Sequence, residues 1–277
     1  MIRRATVTGA SAGLGQAFAE RLARDGWDLR IVARNAARLQ ALAKRLRGEH
    51  GIGVQVVRAD LTNPAALRAL EQRLARDAHL ELLVNDAGMG DFGAFAGRDR
   101  EVEEAEIRLN ALAVVRLTHA ALRGMLRRGR GAVINVSSTA AFQPCPYFAI
   151  YGATKAFLNS FSEALHEELR GSGVRVQALC PGLTHTEIFE RAGADASGLP
   201  SFLWMEPEAV VAESLSALER GTVVCVPGFG NRALTSLSRL VPHDVSRRLA
   251  GILAQRVQER PPRARSRGPR KRRARSR

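Results

Sequence analysis

Residues 5–20 read Ala5-Thr6-Val7-Thr8-Gly9-Ala10-Ser11-Ala12-Gly13-Leu14-Gly15-Gln16-Ala17-Phe18-Ala19-Glu20. A short apolar run passes straight into a turn with three glycines, and the turn opens a helical pattern. Glycines let a backbone turn sharply and approach a diphosphate closely, while a helix N-terminus offers free N–H groups and positive potential. Taken alone, three glycines in a turn carry little weight. Their setting, with a strand before and a helix after, gives the turn its meaning.

Outward from this turn, apolar runs of strand length alternate with longer helical stretches. Strands are expected at 5–8, 28–33, 53–59, 80–85, 131–137, 174–180 and 222–227. Helices are expected at 14–25, 36–47, 64–77, 101–127, 151–171 and 207–220. Thr62-Asn63-Pro64 marks a helix start, a cap followed by a first-turn proline. This alternation predicts an α/β fold, a doubly wound parallel sheet of seven strands with helices on both faces. Such sheets bind ligands at the carboxyl ends of their strands.

That rule decides how the second strand is read. Asp28 has nearly the spacing of the acid that holds a ribose 2′-hydroxyl in NAD-binding units, but it stands at the strand's wrong end. The carboxyl end is Ala33-Arg34-Asn35. With no carboxylate there to repel a phosphate, and Arg34 able to grip one with a planar fork, NADP(H) is the expected cofactor.

Tyr151 and Lys155 lie four apart in an expected helix, so both project from one face. A phenol with a pKa of about 10 exchanges protons poorly near neutrality. Bringing it to about 7 takes roughly 4 kcal/mol. An ammonium about 4 Å away, in an effective dielectric near 20, supplies about that much. Thirteen residues before the tyrosine, Ser138 closes the fifth strand and offers a hydroxyl for a substrate oxygen. Either feature alone is common on ordinary proteins.

In combination they resemble the short-chain dehydrogenases/reductases in their single-domain, NADP-preferring form. The resemblance runs from about residue 2 to 226. It rests on the Thr8-Gly9…Gly13-x-Gly15 turn, Asp60-Leu61, Asn85-Asp86-Ala87-Gly88, Asn110, Ser138, Tyr151-x-x-x-Lys155 and Pro181-Gly182-Leu183-Thr184-His185-Thr186, in that order. It implies that Tyr151 is the general acid in reduction and the base in oxidation. Lys155 would bind the nicotinamide ribose and lower the tyrosine's pKa, Ser138 would orient the carbonyl, and Asn110 would hold a relay water. Gly9, Ser11, Gly13, Leu14 and Gly15 would line the pyrophosphate, and Arg34 the 2′-phosphate. Asp60 and Leu61 would meet the adenine, while Asn85, Ala87 and Gly88 flank its ribose. Pro181, Gly182 and Thr186 would face the nicotinamide. Two departures stand out. Asp86 replaces the second Asn of N-N-A-G, a change expected to touch stability more than chemistry. Ala12 stands where many NADP-using members carry a basic residue.

The domain boundaries follow. Residues 1–228 form the catalytic domain, with a substrate lid at 187–206. Residues 229–259 form an amphipathic helical extension, and 260–277 a basic tail expected to be disordered. Phe142, Phe148, Phe189, Phe202 and Trp204 are candidates either for an apolar pocket wall or for ordinary core. The extension interleaves Leu234, Leu237 and Leu249 with Arg232, Arg239 and Arg248, which leaves a pocket cover, a subunit contact or peripheral membrane contact open.

Ten Lys and Arg and no acid lie in 260–277, so of the formal charge of +15 only +5 belongs to the rest. The body is therefore mildly basic, and nucleic acid is not the expected partner. Cys145, Cys180 and Cys225 are too scattered for disulfides or zinc, and His185 and His243 lack companion ligands. No metal is expected. No leader pattern or spanning apolar run is read, so the expected location is cytoplasmic, with membrane-peripheral association left open. The expected partner is a small carbonyl or alcohol compound, and the resemblance implies a homo-oligomer. The leading reading is hydride transfer between NADP(H) and such a substrate; a non-catalytic NADP(H)-binding sensor is the alternative.

Overall fold

The computed structural model describes residues 3–193, 204–238, 248 and 250–251. The lid aromatic Phe202, much of the extension and the whole basic tail lie outside the described residues, as does the side chain of Phe189.

Six strands fall where the sequence places them: β1 (Arg4–Thr8), β2 (Asp28–Ala33), β3 (Val54–Arg58), β4 (Leu80–Asn85), β5 (Gly131–Val136) and β6 (Val174–Leu179). Most of their apolar residues are buried, because both faces of the sheet are covered, and those of the edge strand β3 are partly so. Two short parallel strands follow, β7 (Leu183–Thr184) and β8 (Trp204–Met205), paired with each other as a separate ribbon. The seventh strand of the main sheet is β9 (Val224–Cys225), shorter than the expected 222–227, with pairing limited to Ala178 and Leu179 of β6.

The main sheet has the order β3-β2-β1-β4-β5-β6-β9 and is parallel throughout. The chain winds outward from β1 to β3, then returns to set β4 on the other side of β1. That reversal opens a crevice past the carboxyl ends of β1 and β4. One buried cluster joins the sheet to α1 (Gly13–Arg24), α2 (Ala36–His50) and, through Val210, Val211 and Ala217, to α8 (Pro207–Glu219). A second cluster covers the other face with α3 (Pro64–Ala75) and α5 (Ala113–Arg128). The fold is Rossmann-like.

Local chemistry sets the helix ends. Asn35 accepts the N–H of Arg38 at 3.0 Å to start α2, and Gly51 closes it in the left-handed conformation. Asn63 caps α3 ahead of Pro64. The single long helix expected at 101–127 is instead α4 (Arg100–Ile107), a π turn at Arg108–Leu112, and α5. Single π turns inside helices recur at functional sites, and this one carries Asn110. The chain continues through α6 (Ala149–Glu168) and the short α7 (Ile188–Ala192), which begins the stretch read as a lid. Past β9, α9 (Phe229–Ser238) turns Asn231 and Thr235 inward and leaves Leu234 and Leu237 exposed. Among the described residues, no helix is long and apolar enough to cross a membrane.

Away from the crevice, Asp77 closes a buried charge cluster. It receives Arg4 at 2.9 Å and Arg30 at 2.8 Å, and Arg30 also donates to Gln55. Burial pushes the Asp77 carboxyl up, but hydrogen bonds from Arg4 and His79 and the charge of Arg30 hold it below the usual range. A depressed carboxyl stabilises the fold above its unfolded pKa and loses that contribution as pH falls through its folded value. Asp77→Asn leaves the buried Arg30 guanidinium without a counter-charge and Arg4 with only Asp28, so it should cost about 3 kcal/mol at neutral pH. Urea unfolding at pH 7 and in acid checks this, and the difference from wild type should shrink in acid.

Candidate active site

The crevice begins at the glycine turn. Gly9 has φ +75° and Gly13 φ +56°, conformations that side chains rarely adopt. Space is the second reason for glycine. A Cβ on Gly9 or Gly15 would stand 2.6 Å from the same carboxylate oxygen, Oδ2 of Asp86. Ala12, at the N-cap of α1, has no side chain to occupy the first helical N–H groups. The following segment is pinned to β1 through Thr8, whose Oγ1 accepts from the N–H groups of Asp86 and Ala87, each at 3.0 Å.

From here runs a cleft of about 550 Å³. One end holds Arg34, Asp60 and Leu61; the turn forms its floor; Ser138, Tyr151, Lys155, Pro181, Gly182 and Thr186 stand at the other end. Arg34 is exposed, and among the described residues no hydrogen bond or ion pair engages its guanidinium. Asp28 stands at the opposite edge, where it accepts the N–H of Gly53 at 2.8 Å. At Asp60, burial raises the carboxyl, but bonds from Thr62 and the charge of Arg34 outweigh it and hold the group below its ordinary range. A glycine cradle, a helix N-terminus whose N-cap residue offers no side-chain acceptor, and an unpaired arginine along one cleft fit a phosphorylated dinucleotide.

At the other end, Lys155 is 5% exposed and donates to the Val136 carbonyl at 2.7 Å. Its Nζ lies 5.3 Å from the centre of the Tyr151 ring. Ser138 hydrogen-bonds the phenol, and Phe148 stacks on it with ring centres 4.6 Å apart. Tyr147, next to Phe148, has φ 63°, an uncommon conformation for a residue with a side chain.

The electrostatics differ from the expectation that one lysine brings the phenol to about 7. Burial pushes Tyr151 up to about 12; the Ser138 bond opposes this, while Cys145, Glu106 and Asp86 push it further up. Lys155 is drawn down to about 8 by burial, against the pull of Asp86, Cys180 and Glu106. The ammonium donates to a backbone carbonyl and faces two acids, so the protein groups by themselves do not make the phenol acidic.

Both acids are site features that the sequence reading missed or set aside. Asp86 lines the cleft, and burial raises it to about 7 despite the Lys155 charge and the Gly15 N–H. Glu106, 1% exposed on α4, is also raised to about 7 by burial, and its Oε1 has no hydrogen-bond partner. The unusual Asp in N-D-A-G was a usable signal; nothing in the sequence singled out Glu106.

Three expected site residues lie behind the cleft instead of lining it: Gly15, buried under the turn, Asn110 and Asn85. Asn110 accepts the Met89 N–H at 3.0 Å and donates to the Met89 carbonyl at 2.8 Å and to Thr154 at 3.3 Å. Asn85 is turned into the protein, donating to Thr118 and Asn135 at 3.1 and 2.9 Å. Its side chain does not flank the cleft, because β4 alternates faces and presents Asp86 there. Of the aromatic candidates, Phe148 lines the cleft, while Trp204 stacks on His185 in a neighbouring groove. Phe92, which the sequence did not suggest, packs edge-on against Phe148.

The sequence profile of the short chain dehydrogenase family matches residues 3–197. A short-chain dehydrogenase from Sphingobium yanoikuyae, solved in complex with NADPH, aligns with a TM-score of 0.80 at 38% identity, covering 96% of this chain and 98% of that one. The sulfoacetaldehyde reductase of Chromohalobacter salexigens is 36% identical over 216 residues, 76% of this chain and 83% of the reductase. The very-long-chain 3-oxoacyl-CoA reductase of Bos taurus is 32% identical over 189 residues, 66% of this chain but 60% of that protein.

Asn110→Ala removes all three contacts to Met89 and Thr154 and leaves the Met89 amide unpaired. It should cost about 2 kcal/mol in unfolding free energy. Hydrogen exchange should show the Met89 amide losing protection while amides of the central strands keep theirs.

Proposed function

This chain belongs to the short-chain dehydrogenase family, and from that premise we propose that it is an NADP(H)-dependent oxidoreductase of carbonyl and secondary alcohol groups. The observation that carries the reading is the meeting of Ser138, Tyr151 and Lys155 in the same cleft as the glycine turn. Fold alone would not carry it, since one fold hosts many chemistries.

The turn at Gly9, Ser11, Gly13 and Leu14 holds the pyrophosphate on the N-terminus of α1. Asp60 and Leu61 border the adenine, and Ala87 and Gly88 the adjoining ribose. The unpaired Arg34 takes the 2′-phosphate, a reading supported by the NADPH in the Sphingobium relative. Pro181, Gly182 and Thr186 border the nicotinamide. When bound, the dinucleotide would supply or accept the hydride and, oxidised, would add a positive charge to the cleft.

The chain's own residues handle the proton. In reduction, Ser138 donates to the carbonyl oxygen and Tyr151 delivers a proton to that oxygen as it gains negative charge. In oxidation, Tyr151 takes the hydroxyl proton back. Lys155, held over the ring by Val136, favours the phenolate when it is charged. Asn110 acts as a positioning residue, fixing Met89 and Thr154 behind these groups. Phe148, backed by Phe92, presents an apolar wall, which suits an apolar substrate, and Glu187, Ile188 and Arg191 border the same cleft. A sensor without turnover is the weaker reading, because it gives Ser138 and Tyr151 no task.

Two variants test this. Tyr151→Phe should lower turnover of a ketone panel by at least about 100-fold while NADPH affinity, read by fluorescence titration, stays near wild type. Arg34→Ala should weaken NADPH by about 30-fold, the loss of one charged hydrogen-bonding partner, and leave NADH almost unchanged; equal losses would remove the 2′-phosphate contact.

A further inference from the structure

Asp86 has no task in the chemistry above, yet its carboxylate stands against two glycines of the turn. Its Oδ2 fills the space that side chains on Gly9 and Gly15 would need. The Gly15 N–H points to its carboxylate. Gly15 lies in the first turn of α1, whose free N–H groups and positive end form the anion site of the cleft. A negative charge of the protein's own therefore already stands where the helix end attracts one.

We propose that Asp86 sets the affinity of the cleft for its dinucleotide through its own charge: ionised, it competes with the pyrophosphate for the α1 N-terminus; protonated, it releases that field to the ligand. This rests on the reading of the cleft as a dinucleotide site. An asparagine is nearly the same shape and never carries the charge, so the aspartate makes affinity depend on pH.

The groups facing Asp86 fix the direction. From α1 it receives a backbone N–H. From α6 it faces the Lys155 ammonium and the Tyr151 phenol, and from β1 Thr8 holds its backbone. Glu106, on α4, acts on Lys155 from the other side. Burial raises the Asp86 carboxyl to about 7, and the ammonium opposes this, so its charge changes within the ordinary working range. Lys155 titrates nearby and also weakens an anion's binding as pH rises, so the effect of Asp86 must be read as a difference between variants.

The experiment titrates NADPH into the wild-type chain and into Asp86→Asn by fluorescence and calorimetry, from pH 5.5 to 8.5. The 2′-phosphate is common to both arms and cancels. Asp86→Asn should match wild type at the acid end and bind about ten-fold more tightly at the alkaline end, the order expected of one nearby charge in a partly screened site. A difference that stays constant with pH, or weaker binding by the variant at alkaline pH, overturns the proposal. Asp86→Ser, neutral and smaller, provides the same comparison if the Asn variant does not fold. Absence of NADPH binding by wild type at every pH removes the dinucleotide reading itself, and this proposal with it; binding with a pH-independent difference removes this proposal alone.

Discussion

The hydrogen bond from Lys155 to the Val136 carbonyl ties α6 to the sheet. It is 2.7 Å long and buried. Through it, α6 is fixed against the carboxyl end of β5, and the Ser137 hydroxyl adds a second tie to the Lys155 carbonyl at 2.8 Å. With α6 so placed, Tyr151 one turn earlier stands beside Ser138, two residues past the end of β5. A parallel sheet brings the ends of β1, β4 and β5 to one edge, so the same tie puts the phenol beside the glycine turn. Register does the rest, since Asn85 pairs with Asn135 and hands Asp86 to the cleft.

The charges gathered at this edge oppose one another. One ammonium faces two carboxyl groups and a phenol in a setting where ions are poorly solvated. Burial therefore raises both acids and the phenol and lowers the lysine. Each group's state depends on the others, and any further charge entering the cleft shifts them all. In this account the phenol becomes acidic only when the dinucleotide completes the arrangement.

The strands and their edge were legible in the sequence because apolar runs of strand length alternate with helices, and positions 28–33 and 80–85 match residue for residue. The meeting of Ser138, Tyr151 and Lys155 was legible from spacing once strand ends were known. The break in the helix at 108–112 was not, because a π turn leaves no mark in an apolar periodicity that continues on both sides. The high setting of Tyr151 was also hidden, since it arises first from burial and then from Cys145, Glu106 on α4 and Asp86 after β4, a setting that only the fold creates. Phe92 sits in a glycine-rich loop, where no pattern distinguishes a wall from a spacer.

The chain has two tyrosines, which makes the ionisation of Tyr151 directly measurable. Carbon-13 at the ring Cζ reports whether each is phenol or phenolate, with Tyr147 as the internal reference. Without dinucleotide, Tyr151 should remain a phenol to about pH 10 or beyond; with saturating NADP⁺ its phenolate should appear within about a unit or two of neutrality. A Tyr151 that remains a phenol to the same high pH with NADP⁺ bound would contradict the account.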